Sequence, residues 1–320
     1  MGYLHGMNGR LLLFLLLSSI TAGAQRPAFT VVPLGVRGGL DESNLSAYLV
    51  AAAGTTDYVC LDAGTLYAGI RKAIDNGALP PPVSAVLRGS IKDYFISHPH
   101  LDHVAGLIIN SPDDSSKNIY GLPSCLHVLQ DKYFSWQSWA NFGDAGESPQ
   151  LKKYHYVPME PGSEITANAT NIGVQAFPLS HGNPYESTAF LLHNGDDYLL
   201  YFGDTGADSV EHSDKLHLVW TAISPLVKSR RLKAILIEVS FPDKQPVKSL
   251  FGHLTPALLT RELTNLAALT GPAALQGLPV VITHRKPSGD NEEKIQKELL
   301  ANNPLQVKFI FPEQGRRLDF

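Results

Sequence analysis

Within six residues, His98-Pro99-His100-Leu101-Asp102-His103, the chain gathers three imidazoles and a carboxylate. The apolar run Asp93-Tyr94-Phe95-Ile96 leads straight into this cluster, and residues 104–109 continue from it as an apolar helical turn or two. A buried strand ending in such a turn delivers several donors to one place. His98 and His100 are two apart, so in an extended loop their rings point the same way and can share one ion. Asp102 and His103 open the following helix and face a second position. Imidazole nitrogen mixed with carboxylate oxygen suits a borderline-soft divalent ion such as zinc. A polar loop before a helix, the plain alternative, has no need of three histidines at this density.

More donors stand at other strand ends. Asp204, in Phe202-Gly203-Asp204-Thr205-Gly206, follows a buried strand, and its flanking glycines let the backbone come close; a carboxylate there can bridge two ions. His181, in Leu179-Ser180-His181-Gly182, and His284, in Ile282-Thr283-His284-Arg285, also follow strands. Each alone reads equally as a turn or surface residue. Taken with the first cluster they supply a set for two metal ions.

The remaining pattern is of short apolar strands and a few helices. Residues 29–34, 58–61, 172–177, 188–192, 198–202, 232–239, 279–282, 307–311 and 317–320 read as strands, and 66–74, 256–269 and 291–300 as helices. Asn194-Gly195 predicts a type I′ hairpin. Residues 113–160, with their Trp and Tyr clusters and Gly143, Gly146 and Pro149, read as an insertion with its own helix, a candidate lid. No Gly/Ser linker or charge block divides the chain, which suits one α+β domain over residues 25–320 built from layered sheets covered by helices.

Arg10, the apolar run 11–20 and Ala22-Gly23-Ala24 have the layout of an export leader over residues 1–24. The run is too short to span a bilayer. The expected product is therefore periplasmic or secreted, with no membrane association after leader removal. Losing Arg10 takes the net charge from −4 to −5, which argues against a partner held by long stretches of nucleic-acid phosphate. Cys60 and Cys125 could close one disulfide in an exported chain, but two buried free thiols carry more weight, and neither sits in a CxxC pattern, which speaks against thiolate metal ligation. A homodimer is left open.

The ligand order His98, His100, Asp102, His103, His181, Asp204, His284 resembles the metallo-β-lactamase superfamily in its dinuclear form. The longer string from His98 to Ser111-Pro112 resembles the signature of class II 3′,5′-cyclic-nucleotide phosphodiesterases, a branch with bacterial periplasmic members. The resemblance implies an αββα four-layer sandwich of two mixed sheets. It implies that His98, His100 and His181 bind one ion, that Asp102, His103 and His284 bind the second, and that Asp204 bridges. Asp62 would be the acid that orients the metal-binding loop, although a plain turn aspartate is the bland reading. In Gly252-His253-Leu254-Thr255-Pro256 and Ile237-Glu238-Val239-Ser240-Phe241, the resemblance extends to the tRNA 3′-processing branch. There a histidine such as His253 contacts phosphate or leaving oxygen and a glutamate such as Glu238 orients it.

The implied reaction is hydrolysis of cyclic AMP or cyclic GMP to the nucleoside 5′-monophosphate by hydroxide activated between two divalent ions, zinc being the natural choice. Asp102 would bind metal and accept a proton from that water; His253 would protonate the leaving 3′-oxygen. Rival readings are a lactone or β-lactam hydrolase and a phosphodiesterase of RNA ends. Tyr133, Phe134, Trp136, Trp139, Phe142 and Tyr185 are candidates for stacking on a base, with core packing the ordinary role for such residues.

Overall fold

The computed structural model describes residues 1–3 and 26–320. The leader expected over residues 1–24 lies, but for its first three positions, outside the described residues. The described strands form two sheets of seven. The first uses β1 (Phe29–Gly35), β2 (Ala47–Ala52), β3 (Tyr58–Leu61), β4 (Ile91–Phe95), β5 (Lys117–Gly121) and β6 (Tyr154–Pro158). The second uses β7 (Glu164–Thr166), β8 (Gly173–Ser180), β9 (Glu186–Asn194), β10 (Asp197–Phe202), β11 (Leu232–Glu238), β12 (Pro279–Thr283) and β13 (Lys308–Ile310). The last strand, β14 (Leu318–Asp319), returns to the first sheet beside β1.

The spatial orders are β14-β1-β2-β3-β4-β5-β6 and β13-β12-β11-β10-β9-β8-β7. Each sheet is half antiparallel and half parallel. In the first, pairing changes from antiparallel to parallel at β3, and in the second at β10. Ligand crevices form beyond the carboxyl ends of strands where a sheet changes its winding. Asp62 directly follows β3, and Asp204 follows β10 by two residues.

Strand alternation builds three cores. Phe29 and Val31 of β1 face Val174, Phe190, Leu199 and Leu236 between the sheets. Val32 and Leu34 of the same strand face outward, to Ile70, Val104 and Leu107 on covering helices. Across the molecule, Ala234 and Leu236 of β11 point to the inter-sheet core, while Ile235 and Ile237 meet Trp220, Leu259, Leu263 and Ile295. A sheet buried on both faces needs apolar residues at consecutive positions, as β11 has. The result is the expected helix–sheet–sheet–helix sandwich.

Two expectations change and one open alternative closes. Residues 113–160 are not an insertion: they supply β5 and β6, which extend the first sheet in parallel, and Phe134 is buried in its outer core. In the β9–β10 hairpin, Asn194 pairs with Asp197, so Gly195 and Asp196 are the central residues. Gly195 has φ of 58° and Asp196 is not in the left-handed region, the requirement of a type II′ turn rather than type I′. Cys60 and Cys125 are buried free thiols, the reading the sequence favoured over a disulfide.

Candidate metal centre

Every donor singled out in the sequence joins one largely buried cluster at the strand ends. β4 runs into the His98 loop, and the helix Leu101–Asn110 starts with Asp102 and His103 in its first turn. β8 delivers His181, β10 delivers Asp204 and β12 delivers His284. His98 Nε2 lies 3.0 Å from His100 Nδ1, and His181 Nε2 lies 3.3 Å from the same atom. On the other side, His284 Nε2 is 3.1 Å from Asp102 Oδ2. The two groups meet at Asp204 Oδ2, which is 3.7 Å from His98 Nε2, 3.8 Å from His181 Nε2, 3.3 Å from His103 Nε2 and 3.2 Å from His284 Nε2.

The opposite ring nitrogens of His98, His103, His181 and His284 are committed. His103 Nδ1–H donates to Asp62 at 2.8 Å, and His181 Nδ1–H to the Gly252 carbonyl at 2.9 Å. Ser97 donates to Asp62 and accepts from His98 Nδ1–H at 3.0 Å. Ser240 repeats this on the other sheet, donating to Glu238 at 2.6 Å and accepting from His284 Nδ1–H at 2.9 Å. These bonds fix the tautomers and leave lone pairs directed at the cluster.

The donor set fits divalent metal. Among the described residues, His103 Nε2 is buried without a hydrogen-bond partner, an arrangement that costs free energy unless something electrophilic meets the lone pair. Charge tells the same story. Burial opposes a proton on His103, yet Asp204 and Asp62 on its two sides hold its pKa well above the usual histidine value. Burial also opposes charge on Asp204, and His284, His103 and His253 overcome it, so the carboxyl stays well below its usual range. The site favours a positive charge between these groups. Gly38 seals this side: a Cβ there would lie 2.2 Å from the His284 ring, so only glycine lets the loop close over it.

Beside the cluster, His253 Nδ1–H donates to Glu238 Oε1 at 2.7 Å. Burial pushes the Glu238 carboxyl up to about 7, with Asp204 adding to it, and burial lowers His253 to about 4. Thr255 caps the helix Pro256–Thr270 two residues later, its side chain accepting from Leu258 N.

Residues 28–315 match the family model described as cAMP phosphodiesterases class-II. The chain is 44% identical to a 3′,5′-cyclic-nucleotide phosphodiesterase of Aliivibrio fischeri, over 96% of this chain and 98% of the relative. It is 39% identical to a probable 3′,5′-cyclic-nucleotide phosphodiesterase of Yersinia pestis, over 96% and 92%. The chain belongs to the class II cAMP phosphodiesterases. In fold, this phosphodiesterase is similar to unliganded yeast PDE1, with TM-score 0.82 at 22% identity over 92% of this chain and 100% of that one. It is also similar to the metallo-β-lactamase fold protein YhfI of Bacillus subtilis, with TM-score 0.62 at 16% identity over 92% and 100%.

Beyond Asp62 and Glu238, sequence reasoning about this phosphodiesterase missed several groups that hold the donors. Ser240 stands two residues past Glu238, and strand period alone puts the two on one face. Ser97, immediately before the cluster, and Tyr201, which donates to Asp62 at 2.6 Å, carried no comparable signal. Gly39 N donates to Asp102 Oδ2 at 2.9 Å from a loop that was not singled out at all. Of the aromatic candidates, Phe134 is core, Tyr133 donates to the Pro99 carbonyl, and Tyr185 is exposed, its ring centroid 5.2 Å from that of His100.

Proposed function

We propose that this phosphodiesterase hydrolyses 3′,5′-cyclic nucleotides to nucleoside 5′-monophosphates at the His/Asp cluster. The observation that carries the reading is the meeting of two three-donor groups at Asp204 Oδ2, next to the Glu238–His253 pair. In this reading His98, His100 and His181 hold one ion, Asp102, His103 and His284 a second, and Asp204 bridges. Divalent ions held there, zinc being favoured by the donor mixture, would supply an activated water and neutralise a phosphoryl oxygen.

The chain's own groups do the rest. Asp62 and Ser97 orient the imidazoles of His103 and His98, and Ser240 that of His284. Glu238 takes the Nδ1–H of His253, which leaves Nε2 for the substrate. A proton added to this pair is available at Nε2 for the departing 3′-oxygen. Burial of the cluster strengthens each of these interactions by excluding water.

The proposed setting is outside the cytoplasm, after removal of residues 1–24, as in a bacterial periplasmic enzyme. Amino-terminal sequencing of the exported protein tests that part: it is expected to begin at Gln25. For the activity, purified protein with added zinc is incubated with cyclic AMP, cyclic GMP, a lactone and a penicillin. Release of 5′-AMP or 5′-GMP that His98→Ala abolishes supports the reading. Intact cyclic nucleotides beside a cleaved lactone or penicillin would replace it.

A further inference from the structure

Two exposed aromatic residues, Tyr185 and Phe251, sit beside His181 and His253 in sequence, on loops that touch each other, and the Tyr185 ring centroid lies 5.2 Å from that of His100. Tyr185 is 60% exposed and lies four residues past His181. Its loop is tight: Tyr185 N donates to the Gly182 carbonyl at 3.0 Å, and His181 N to the Tyr185 carbonyl at 3.3 Å. Phe251 is 72% exposed and lies two residues before His253. The loops meet at Gly182, where a Cβ would sit 3.5 Å from the Phe251 carbonyl. They are tied again where His181 Nδ1–H donates to Gly252 O.

Phe251 has φ of 52°, a left-handed conformation that bulky residues avoid. Glycine would hold this turn at lower cost, and an exposed ring gains nothing from core burial to offset the strain. Strained bulky residues of this kind gather where a ligand uses them. Tyr185 also lines a cleft of about 370 Å³ with Asn183, Glu186, Glu211 and Lys215, so there is space beside its ring. In that cleft Lys215 is paired with Glu186 at 3.1 Å, and Glu211 accepts from Gly182 N at 2.8 Å. Those polar groups are largely spent on each other, which leaves aromatic surface as the free recognition element.

We propose that Phe251 and Tyr185 form the nucleobase subsite of this enzyme, gripping the base by ring stacking while the phosphodiester sits at the cluster. This rests on the phosphodiesterase reading above. Stacking tolerates every base, so the subsite serves adenine and guanine alike.

The test compares the inhibition constants of 5′-AMP and ribose 5-phosphate, which differ only in the base, together with KM and kcat for cyclic AMP. Wild-type enzyme is expected to bind 5′-AMP about tenfold more tightly than ribose 5-phosphate, the scale of one aromatic stack. In Phe251→Gly and Tyr185→Ala that ratio falls toward one, and KM for cyclic AMP rises about tenfold with the larger change in KM, not kcat. Tyr185→Phe keeps the wild-type ratio. Phe251→Gly is expected to melt no lower than wild type, because glycine relieves the left-handed strain. Tyr185→Ala, on the other loop, decides the matter if Phe251→Gly does not fold. A ratio unchanged in both variants overturns the subsite while leaving the activity standing. Wild-type enzyme that leaves cyclic AMP intact overturns the activity itself, and the subsite with it.

Discussion

Asp62 and His103, 41 residues apart, are joined by a 2.8 Å hydrogen bond that fixes the imidazole with Nδ1 protonated and Nε2 facing Asp204. The same carboxylate accepts from Ser97 N at 2.7 Å, Ser97 Oγ at 2.8 Å and Tyr201 Oη at 2.6 Å. Asp62 therefore holds both the first ligand loop and the helix that follows it. In Asp62→Asn the amide nitrogen would face one of these donors, and His103 would lose its fixed orientation. Zinc affinity is expected to fall about 10- to 100-fold, the usual cost of removing such a partner. Competition with a chromophoric chelator measures it, and equal affinities would show that Asp62 only fills space.

His253 has a different expected signature. It sits beside the cluster with Nδ1 taken by Glu238, and the reading assigns it to the leaving group. His253→Ala is expected to lower kcat about 10²- to 10⁴-fold, the range for a lost general acid, with two metal ions still bound per chain. A substrate with a good leaving group, such as a p-nitrophenyl phosphodiester, needs no such proton and should lose much less. Equal losses on both substrates, or loss of metal, would assign His253 to the metal instead. Glu238→Gln should give the same pattern, weakened, because it acts through His253.

The ligands were legible because each is chemically distinctive and ends an apolar strand; the strands themselves were legible where both faces are buried, as in β11. What escaped notice was polar or weakly β-forming. Lys117–Gly121 and Tyr154–Pro158 carry few apolar residues in a row, and β6 is half exposed as the edge of its sheet, so the pattern of residues 113–160 suggested an insertion. Ala47–Ala52 is alanine-rich, and alanine has little strand preference, although the strand is buried by neighbours on both sides. Ser97 and Ser240 were invisible for another reason. A serine hydroxyl placed between a buried carboxylate and an imidazole is defined by the tertiary fold, and serine is common everywhere.

Metal removal should be visible as lost stability. Seven donors crowd together, and His103 Nε2 has no hydrogen-bond partner among the described residues. An ion that binds only the folded state adds about 2.7 kcal/mol when present at 100 times its dissociation constant. Dialysis against a chelator is thus expected to lower Tm, and readdition of zinc to restore it together with activity. A melting curve indifferent to both steps would mean that the donors do not bind metal in the folded protein.

Asp93 offers a test of the scaffold remote from this chemistry. It is buried in β4, where its carboxylate accepts from Asn168 N at 2.6 Å and Asn118 N at 3.2 Å. Burial outweighs those bonds and pushes its pKa up to about 6, from 3.8. The folded chain therefore keeps a proton that the unfolded chain has already released between those two values, so this group's contribution falls as pH rises through the window and is flat above it. Asp93→Asn cannot ionise and escapes the penalty. Its stability relative to wild type is expected to rise from pH 4 to pH 6.5, by on the order of 2 kcal/mol after allowance for solvent screening, and to change little beyond. Any fixed cost of the amide drops out, since only the pH dependence of the difference between the two Tm values is read. A difference that stays constant across that window would show that Asp93 ionises in the fold at its ordinary pKa, and one that falls would place it below that value; either overturns the expectation.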